Sequence, residues 1–396
     1  MRRRVHTKRA AQTQQMNDLH AVAAAFTGFR PAGEVFLKVK AVPTIFPDFD
    51  HGVRVGGLPT ERIALVHGPS GEGKTMFTLG LVRSFLTVGN PVFFVDAERT
   101  LERGFIRLTL QDQADSPLFM GARPTSYEQT RVDVRTFCNR VAELRKRGKV
   151  HPDACGLVVV DSIRKLVPKD QWEKLLELAK NAKDEKARDR ANQHKAQMNA
   201  AWCDELIPLL EQTGCTMVII AREIEDADAP PPRAMPGRPP PRKRTKTGGG
   251  SALYYDASLD LEITRAAYVQ KPGKTEGSRP VVYGERHRVT IKKSKVSGKE
   301  DKVTICHFHS SNGKLVPEGF DHARDLVDLG VRLGVIKGGK STKGGGGWMQ
   351  WQGRKWNGAH AAVAALTKDA PALAKLESAV RAKFASASPV DLDTEG

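Results

Sequence analysis

Short apolar runs alternate with longer amphipathic stretches through the first half of the chain. The apolar runs predict strands over 62–67, 91–96, 156–160 and 216–221. The amphipathic stretches predict helices over 74–88, 127–147 and 199–213. Strands and helices that alternate in this way form a mostly parallel sheet with right-handed crossover connections. The pattern therefore predicts an α/β core.

In the second half of the chain, predicted strands follow one another with short turns between them. They span 258–264, 280–284, 287–293 and 302–309, which indicates antiparallel hairpins at the sheet edge. Predicted helices over 321–334, 358–366 and 372–385 surround a stretch rich in lysine, glycine and tryptophan. Its tryptophans could stack on bases, but a small domain more often packs them in its core. A small, basic α+β C-terminal domain is expected.

A glycine-rich turn joins the first strand of the core to its first helix. It consists of Gly68, Pro69, Ser70, Gly71, Glu72, Gly73, Lys74 and Thr75. Glycines allow successive backbone N–H groups to wrap a triphosphate, and the helix N-terminus adds positive potential. In this pattern the lysine contacts the β- and γ-phosphates, and the threonine hydroxyl is a Mg²⁺ ligand. The turn predicts a nucleotide-binding loop; the alternative is a glycine turn with a surface lysine.

An aspartate, Asp161, follows the strand predicted over 156–160. The carboxyl end of such a strand is where a nucleotide-bound Mg²⁺ needs an acidic partner. By itself Asp161 could equally cap the next helix. Lys74 and Thr75 upstream favour the Mg²⁺ role.

The chain is basic, with 63 Lys and Arg against 45 Asp and Glu in 396 residues and a net charge of +18. Its longest irregular segment, 226–250, has two Pro-Pro-Pro triplets and ends in glycines. The basic residues of that segment are Arg233, Arg238, Arg242, Lys243, Arg244 and Lys246. Clustered cations suggest binding to the phosphates of a nucleic acid. The alternatives are a basic solvated surface and an inert disordered insertion.

The first seventeen residues are rich in arginine and poor in acidic residues, and a short helix is predicted over 16–26. This composition fits an organelle transit peptide or an arm that contacts DNA. The five cysteines are odd in number and widely spaced, which indicates a reducing compartment without structural disulfides. Cys306 and Phe308 face opposite to His307 and His309 in a strand pattern, so we interpret these residues as sheet packing rather than as a metal site. No run approaches the length of a membrane span, and no membrane partner is expected.

Several stretches, in this order and spacing, resemble the bacterial RecA recombinase family over about 50–385. They are Gly56-Gly57-Leu58-Pro59, the loop Gly68 to Thr75, Val95-Asp96-Ala97-Glu98, Val158-Val159-Val160-Asp161-Ser162, Gly249-Gly250-Ser251-Ala252-Leu253 with Tyr255, and Val327-Asp328-Leu329-Gly330-Val331. The resemblance implies a RecA-like P-loop NTPase core that uses ATP and Mg²⁺. It divides the chain into an N-terminal arm and tether (1–55), the core (56–319), a C-terminal domain (320–385) and a tail (386–396).

The resemblance also assigns residues to the active site. Glu98 matches the catalytic glutamate that positions and deprotonates the attacking water. Glu102 and Phe105 match positions that flank the adenine. Lys293 and Lys295 match two lysines that a neighbouring protomer inserts toward the γ-phosphate. Without the family, these two lysines could be solvated side chains on an edge strand.

The same resemblance implies that the protein binds DNA as a filament. Segments 169–198 and 225–250 match the two DNA-binding loops, and the C-terminal domain is implicated in capturing duplex DNA. The expected function is an ATP-dependent recombinase that forms helical homo-oligomers on single-stranded DNA and pairs it with a homologous duplex. Its expected location is the cytoplasm of a bacterial or phage-infected cell, or an organelle if the arm is a transit peptide.

Some residues depart from the family pattern. Glu223 matches the family's γ-phosphate-sensing glutamine, whereas a shift of one residue would place Arg222 there. A carboxylate at that position would repel the phosphate unless Arg222 or Mg²⁺ compensates. The departures, with the long loops and the short acidic tail, indicate a divergent member of the kind a phage could encode. The alternatives to a recombinase are a DNA-dependent or helicase-like motor ATPase without strand exchange and a filament scaffold with weak hydrolysis.

Overall fold

The protein is represented by a computed structural model. It describes residues 39–169, 185–225, 245–248, 250–271, 281–297, 302–309, 318–338 and 347–385. A boundary between two units falls at Lys40 and Ala41, and the elements named here belong to the second unit. The helix predicted over 16–26, the basic first residues and most of the segment 226–250 lie outside the described residues.

A nine-stranded mixed sheet forms the centre, in the order β13-β12-β11-β10-β3-β7-β6-β4-β5. Its strands are β3 (Ile63–His67), β4 (Val92–Asp96), β5 (Phe119–Ala122), β6 (Leu157–Asp161), β7 (Thr216–Ile220), β10 (Leu259–Lys271), β11 (Val281–Ser294), β12 (Lys302–His309) and β13 (Gly319–Phe320). The six strands from β10 to β5 in this order are parallel, and β11, β12 and β13 add antiparallel pairs at one edge. The predicted α/β class with a mostly parallel sheet is confirmed.

Helix α1 (Pro47–Val53) precedes the parallel strands. Between successive parallel strands lie α2 (Lys74–Thr87), α3 (Arg103–Leu110), α4 (Tyr127–Lys146), α5 (Glu185–Thr213) and α6 (Ser251–Asp256). Two short pairs of strands complete this part, β1 (Ala41–Val42) with β2 (Leu58–Pro59) and β8 (Glu223–Glu225) with β9 (Thr245–Thr247). No helix among the described residues is both long and apolar enough to span a bilayer.

Strand β3 is apolar at successive positions because both of its faces are buried. Ala64 and Val66 pack in the hydrophobic cluster that contains Phe77 of α2. Ile63 and Leu65 pack on the other side, in the cluster that contains Trp202 of α5. Helices on both faces of a parallel sheet produce such continuous apolar runs, and the resulting core fixes the position of the residues that follow each strand.

The observed elements differ from the predictions in several places. The helix predicted over 199–213 is the end of the longer α5, whose earlier residues are mostly polar. The strands predicted over 280–284 and 287–293 are one strand, because Gly284 pairs with both Val269 and His309 where a turn was expected. Helix α3 and strand β5 were not predicted, since α3 is short and β5 is only partly buried.

The C-terminal residues form their own layer of helices and sheet. These elements are α7 (His322–Arg332), β14 (Lys337–Gly338), β15 (Trp348–Trp351), β16 (Arg354–Asn357), α8 (Gly358–Thr367) and α9 (Ala370–Ala385). Trp351 and Trp356 are 6% and 8% exposed and pack in a cluster of their own, whereas Trp348 is 67% exposed. The prediction that these tryptophans pack in the core of the domain is therefore right for Trp351 and Trp356 and wrong for Trp348.

Candidate nucleotide-binding site

The loop from Gly68 to Thr75 connects β3 to the N-terminus of α2. Gly71 and Gly73 have φ angles of 77° and 92°, in the left-handed region that favours glycine. A Cβ atom at Gly68 would lie 2.2 Å from the carbonyl oxygen of Ile263. The loop therefore requires glycine both for its turns and for its close approach to β10, and its residues Ser70, Gly71 and Gly73 line one pocket.

Lys74 is the first residue of α2 and lies over this loop. Its Nζ donates hydrogen bonds to the carbonyl oxygens of Gly68 at 2.8 Å and Pro69 at 2.6 Å. Burial lowers the pKa of Lys74, while the carboxylate of Asp161 opposes that change. The lysine is thus held inside the candidate site rather than extended into solvent.

Thr75 and Asp161 are joined directly. Thr75 Oγ1 donates a 2.6 Å hydrogen bond to Asp161 Oδ2 at the end of β6. Burial raises the pKa of Asp161 to about 6; the Thr75 hydrogen bond opposes the increase and the nearby Glu98 adds to it. A hydroxyl and a buried carboxylate at this distance are hard oxygen donors, so these two residues fit a nucleotide-bound Mg²⁺.

Glu98 faces the same pocket from the end of β4. Ser162 Oγ donates to Glu98 Oε1 at 2.7 Å, and the backbone N–H groups of Ala97 and Glu98 donate to the carbonyl oxygen of Asp161 at 2.7 and 3.1 Å. These bonds fix Glu98 against the neighbouring strand. Glu98, Lys74, Thr75 and Asp161 line one pocket, so the structure brings together four residues that were predicted from different parts of the chain.

The other predicted contacts with the nucleotide divide into two groups. Ser70, Gly71, Gly73 and Phe105 line the pocket. Glu72 points away from it, because its carboxylate accepts a hydrogen bond from the backbone N–H of Arg265. Glu102 precedes α3 as its N-cap residue and is not among the residues that line the pocket.

Arg222 and Glu223 follow β7 and have different surroundings. Arg222 lines the pocket, and its Nη2 donates to Ser70 Oγ in the loop at 3.1 Å. Glu223 instead contacts His67, with 2.9 Å between His67 Nδ1 and Glu223 Oε1. On the other side of the imidazole, His67 Nε2 lies 3.2 Å from Asp260 Oδ1. The Glu223 carboxylate is thus held by His67, and the cation of Arg222 faces the candidate phosphate site.

His67 has an unusual electrostatic environment for a buried histidine. Burial favours the neutral imidazole, but the hydrogen bonds and charges of Asp260 and Glu223 outweigh it and raise the pKa of His67 to about 9. His67 is therefore a buried cation at neutral pH. Sequence reasoning missed His67 and Asp260, because the contacts join three strands that are far apart in sequence.

The structure does not bring Lys293 and Lys295 to the pocket of their own chain. Ser294, between them, pairs with Leu259, which pairs in turn with Ala64 near the start of β3. The loop that holds Lys74 follows the other end of β3. Lys293 Nζ donates to the carbonyl oxygens of Tyr254 and Tyr255 at 2.5 and 2.9 Å, and Lys295 Nζ donates to Tyr255 at 2.6 Å. Both lysines therefore lie at the opposite edge of the parallel strands.

Of the six basic residues predicted to contact DNA, only Lys246 belongs to a described element, strand β9. This strand pairs with β8, which follows Arg222 of the pocket in the chain, and Lys246 lies opposite Ile224. Arg233, Arg238, Arg242, Lys243 and Arg244 lie outside the described residues, as do residues 170–184 of the first predicted DNA-binding loop.

Comparison with known proteins agrees with this geometry. The family model of the RecA N-terminal domain matches residues 30–310. The chain is 24% identical over 358 residues to Protein RecA of Cytophaga hutchinsonii, a match that covers 90% of this chain and 85% of that protein. It is 25% identical over 370 residues to Protein RecA of Kineococcus radiotolerans, covering 92% and 89% of the two chains. Protein RecA of Campylobacter hominis is 26% identical over 355 residues, covering 89% and 85%.

Proposed function

Because this chain belongs to the RecA family, we propose that it is an ATP-dependent DNA recombinase. Its protomers bind ATP, polymerise on single-stranded DNA and promote pairing with a homologous duplex. ATP hydrolysis to ADP and phosphate then releases the product. In a bacterial cell this activity belongs in the cytoplasm, where the chromosome lies.

The observation that carries the ATPase part of this proposal is the series of contacts Thr75–Asp161 and Ser162–Glu98 beside Lys74. Its hydrogen bonds of 2.6 and 2.7 Å connect the ends of β6 and β4 to the start of α2. Phosphoryl transfer depends mainly on positioning and on electrostatic stabilisation. The hydrogen bonds between the ends of β4 and β6 and the start of α2 support both, because they hold the charged side chains in place. The arrangement supports ATP hydrolysis rather than ATP binding alone, because the Glu98 carboxylate is held in the same pocket as Lys74.

Each residue has a separate role in the proposed reaction. The loop N–H groups and Lys74 bind the phosphates, while Thr75 and Asp161 hold Mg²⁺. Mg²⁺, which Thr75 and Asp161 would hold, would neutralise negative charge on the bound phosphates. Glu98 orients the attacking water and accepts its proton, with Ser162 fixing the rotamer of the carboxylate.

The placement of Lys293 and Lys295 supports assembly as part of catalysis. These lysines lie at the edge of the sheet away from their own loop, so the nucleotide that they contact in this proposal is that of an adjoining protomer. Stabilisation of the transferred phosphoryl group by cations supplied in trans is a known device of phosphoryl-transfer enzymes. A complete site would then require at least two protomers, which couples ATP hydrolysis to filament formation.

Contact with DNA is proposed for the segments 169–198 and 225–250 and for the C-terminal domain. The second segment starts and ends beside the nucleotide site. It follows Arg222 and Glu223 in the chain, and near its end Gly248 N donates to the carbonyl oxygen of Arg222 at 2.8 Å. Strands β8 and β9 form the base of that segment. This connection supports a coupling between the bound nucleotide and the DNA contacts. The basic residues of the segment supply positive charge for contacts with the DNA phosphates.

A joint-molecule assay tests the function. The full chain is incubated with single-stranded DNA and either a homologous or a non-homologous duplex, with ATP, with ADP or without nucleotide. We expect joint molecules only with homology and ATP, and none with Lys74→Ala. ATP hydrolysis that is stimulated by DNA but gives no joint molecules in any arm would contradict strand exchange.

That second outcome defines the alternative function, a DNA-dependent ATPase that does not exchange strands. The proline-rich, basic composition of 226–250 favours it, because the family usually places apolar residues there that wedge between bases. A scaffold with weak hydrolysis has less support, since its basis was a Glu223 carboxylate beside the phosphate and Glu223 is instead paired with His67.

A further inference from the structure

Two consecutive residues of opposite charge, Arg222 and Glu223, leave β7 at the edge where the nucleotide site lies. Ala221 still continues the pairing with β3, since its backbone N–H donates to the carbonyl oxygen of Val66 at 2.9 Å. Successive side chains of an extended segment point in opposite directions. Only one of the two charges can therefore face the phosphates, and in this chain it is Arg222.

The order of the strands gives the position of Arg222 within the site. Neighbouring strands run β4-β6-β7-β3, so Glu98, Asp161, Arg222 and the phosphate loop follow one another along the carboxyl edge. Arg222 thus stands between the loop and the acidic side of the pocket. The terminal phosphate of a bound triphosphate must lie in this interval, because it is bound by the loop on one side and attacked by water beside Glu98 on the other.

His67 accounts for the choice between the two charges. It is the last residue of β3, which lies between β7 and β10 in the sheet. Its imidazole therefore reaches the carboxylate of Glu223 on one side and that of Asp260 on the other, at 2.9 and 3.2 Å. The Glu223 and Asp260 side chains are only 8% and 4% exposed. Two buried carboxylates without a cation between them would carry a large desolvation cost.

With the nucleotide bound as proposed above, we infer that Arg222 recognises the terminal phosphate of ATP bound to its own chain. His67 is then the positioning residue that keeps Glu223 out of this site. The ligand class is a nucleoside triphosphate, distinguished from the diphosphate. A guanidinium suits this task because it remains charged and can bind two phosphate oxygens at once. A single protomer then distinguishes ATP from ADP before any neighbour supplies Lys293 and Lys295.

The experiment measures nucleotide affinity, not hydrolysis. Binding of fluorescent ADP and of a fluorescent, non-hydrolysable ATP analogue is followed with the full chain, without DNA and at dilutions where it is monomeric. We expect wild type to prefer the triphosphate. Arg222→Gln should lower the affinity for the triphosphate about 10-fold or more and that for ADP less than about 2-fold, and Arg222→Lys should lose less than Arg222→Gln.

His67 is tested by loss and rescue. His67→Gln should also weaken triphosphate binding selectively, because it removes the cation that neutralises Glu223. In His67→Gln/Glu223→Gln the Glu223 carboxylate is no longer present to repel the phosphate, so triphosphate affinity should return to within about 2-fold of wild type. Failure of this rescue would overturn the positioning role of His67.

Two further results separate this inference from the proposed function. Equal loss of ADP and triphosphate affinity in Arg222→Gln, or no loss of either, would overturn the role of Arg222 while leaving the nucleotide site intact. A wild-type protein that binds neither nucleotide would overturn the nucleotide site itself. Arg222 is exposed, so the Arg222 variants should fold, and this part of the test stands whatever the stability of the His67 variants.

Discussion

Thr75 Oγ1 donates a 2.6 Å hydrogen bond to Asp161 Oδ2 and thereby ties the first turn of α2 to the carboxyl end of β6. The two residues are 86 positions apart in sequence, and each alone would be ambiguous. Their contact places two oxygen donors at the candidate phosphate site. The role of these two residues can therefore be tested by measuring how nucleotide binding depends on the Mg²⁺ concentration.

Loss of either donor should weaken the hold on Mg²⁺. We expect Thr75→Val or Asp161→Asn to raise the Mg²⁺ concentration needed for half-maximal binding of an ATP analogue about 10-fold or more, because each removes an oxygen donor or its charge. Titration of Mg²⁺ at fixed nucleotide measures this. Thr87→Val, at the other end of the same helix, is the control and should leave the titration unchanged. A midpoint that does not move in Thr75→Val and Asp161→Asn would exclude both residues from the metal site.

Glu98→Gln should separate binding from turnover. The amide retains the shape of the side chain but cannot accept the proton of the attacking water, so hydrolysis should fall about 10²-fold or more. ATP-bound filaments on single-stranded DNA should then persist, which electron microscopy and DNA-retention assays can show. Glu211→Gln on the exposed face of α5 is the matched control. Turnover near the wild-type rate in Glu98→Gln would remove Glu98 from the catalytic role.

A mixing experiment tests whether Lys293 and Lys295 act on the nucleotide of a neighbour. Lys74→Ala and the double variant Lys293→Ala/Lys295→Ala should each be inactive alone. In an equimolar mixture, about a quarter of the interfaces combine an intact loop with intact lysines, so hydrolysis should return to roughly a quarter of the wild-type rate. A mixture as inactive as its components would show that the two lysines do not work in trans.

The buried cation of His67 should make stability depend on pH. Its pKa rises from 6.5 to about 9 on folding, so the stabilisation is complete below about pH 6.5 and is lost as the pH rises toward 9. The loss should be at most about 3 kcal/mol, at about 1.4 kcal/mol per pKa unit. Urea unfolding at pH 6.5 and 9 measures it. His67→Gln should show a smaller difference between the two pH values, and an equal difference would assign the dependence to other groups.

The C-terminal tryptophans offer a matched pair of substitutions. Trp356 is 8% exposed and Trp348 is 67% exposed on neighbouring strands of one small sheet. Trp356→Ala should cost about 3–5 kcal/mol in the free energy of unfolding of this part of the chain, and Trp348→Ala about 0.5 kcal/mol or less. Thermal unfolding followed by circular dichroism compares them. Equal losses would contradict the separate core that contains Trp351 and Trp356.

Much of the candidate site was predictable because its signals are local. The glycines of the loop, the lysine that opens α2 and the aspartate that ends β6 each stand beside a strongly apolar strand. The parallel sheet then brings the ends of those strands to one edge, so Lys74, Thr75, Glu98 and Asp161 could be expected to meet. The resemblance to the family supplied Glu98, which has no distinctive pattern of its own.

Other features could not be predicted from the sequence, because they depend on contacts between strands that are far apart along the chain. The segment around Gly284 has the composition of a turn, yet neighbours on both sides hold it in one continuous strand. The resemblance assigned Lys293 and Lys295 to the nucleotide of a neighbouring protomer, but only the register of β11 shows that they lie away from their own loop. The roles of His67 and Asp260 likewise depend on which strands flank β3.

The sequence by itself determined most of the core strands and helices and the nucleotide loop, because backbone preferences and hydrophobic periodicity act over a few residues. Tertiary structure decided which of the adjacent charges, Arg222 or Glu223, faces the phosphate site. Both are compatible with the end of β7, and the choice is made by a histidine on one neighbouring strand and an aspartate on the next. Buried charges are stable only beside their partners, and those partners come together only when the sheet has formed.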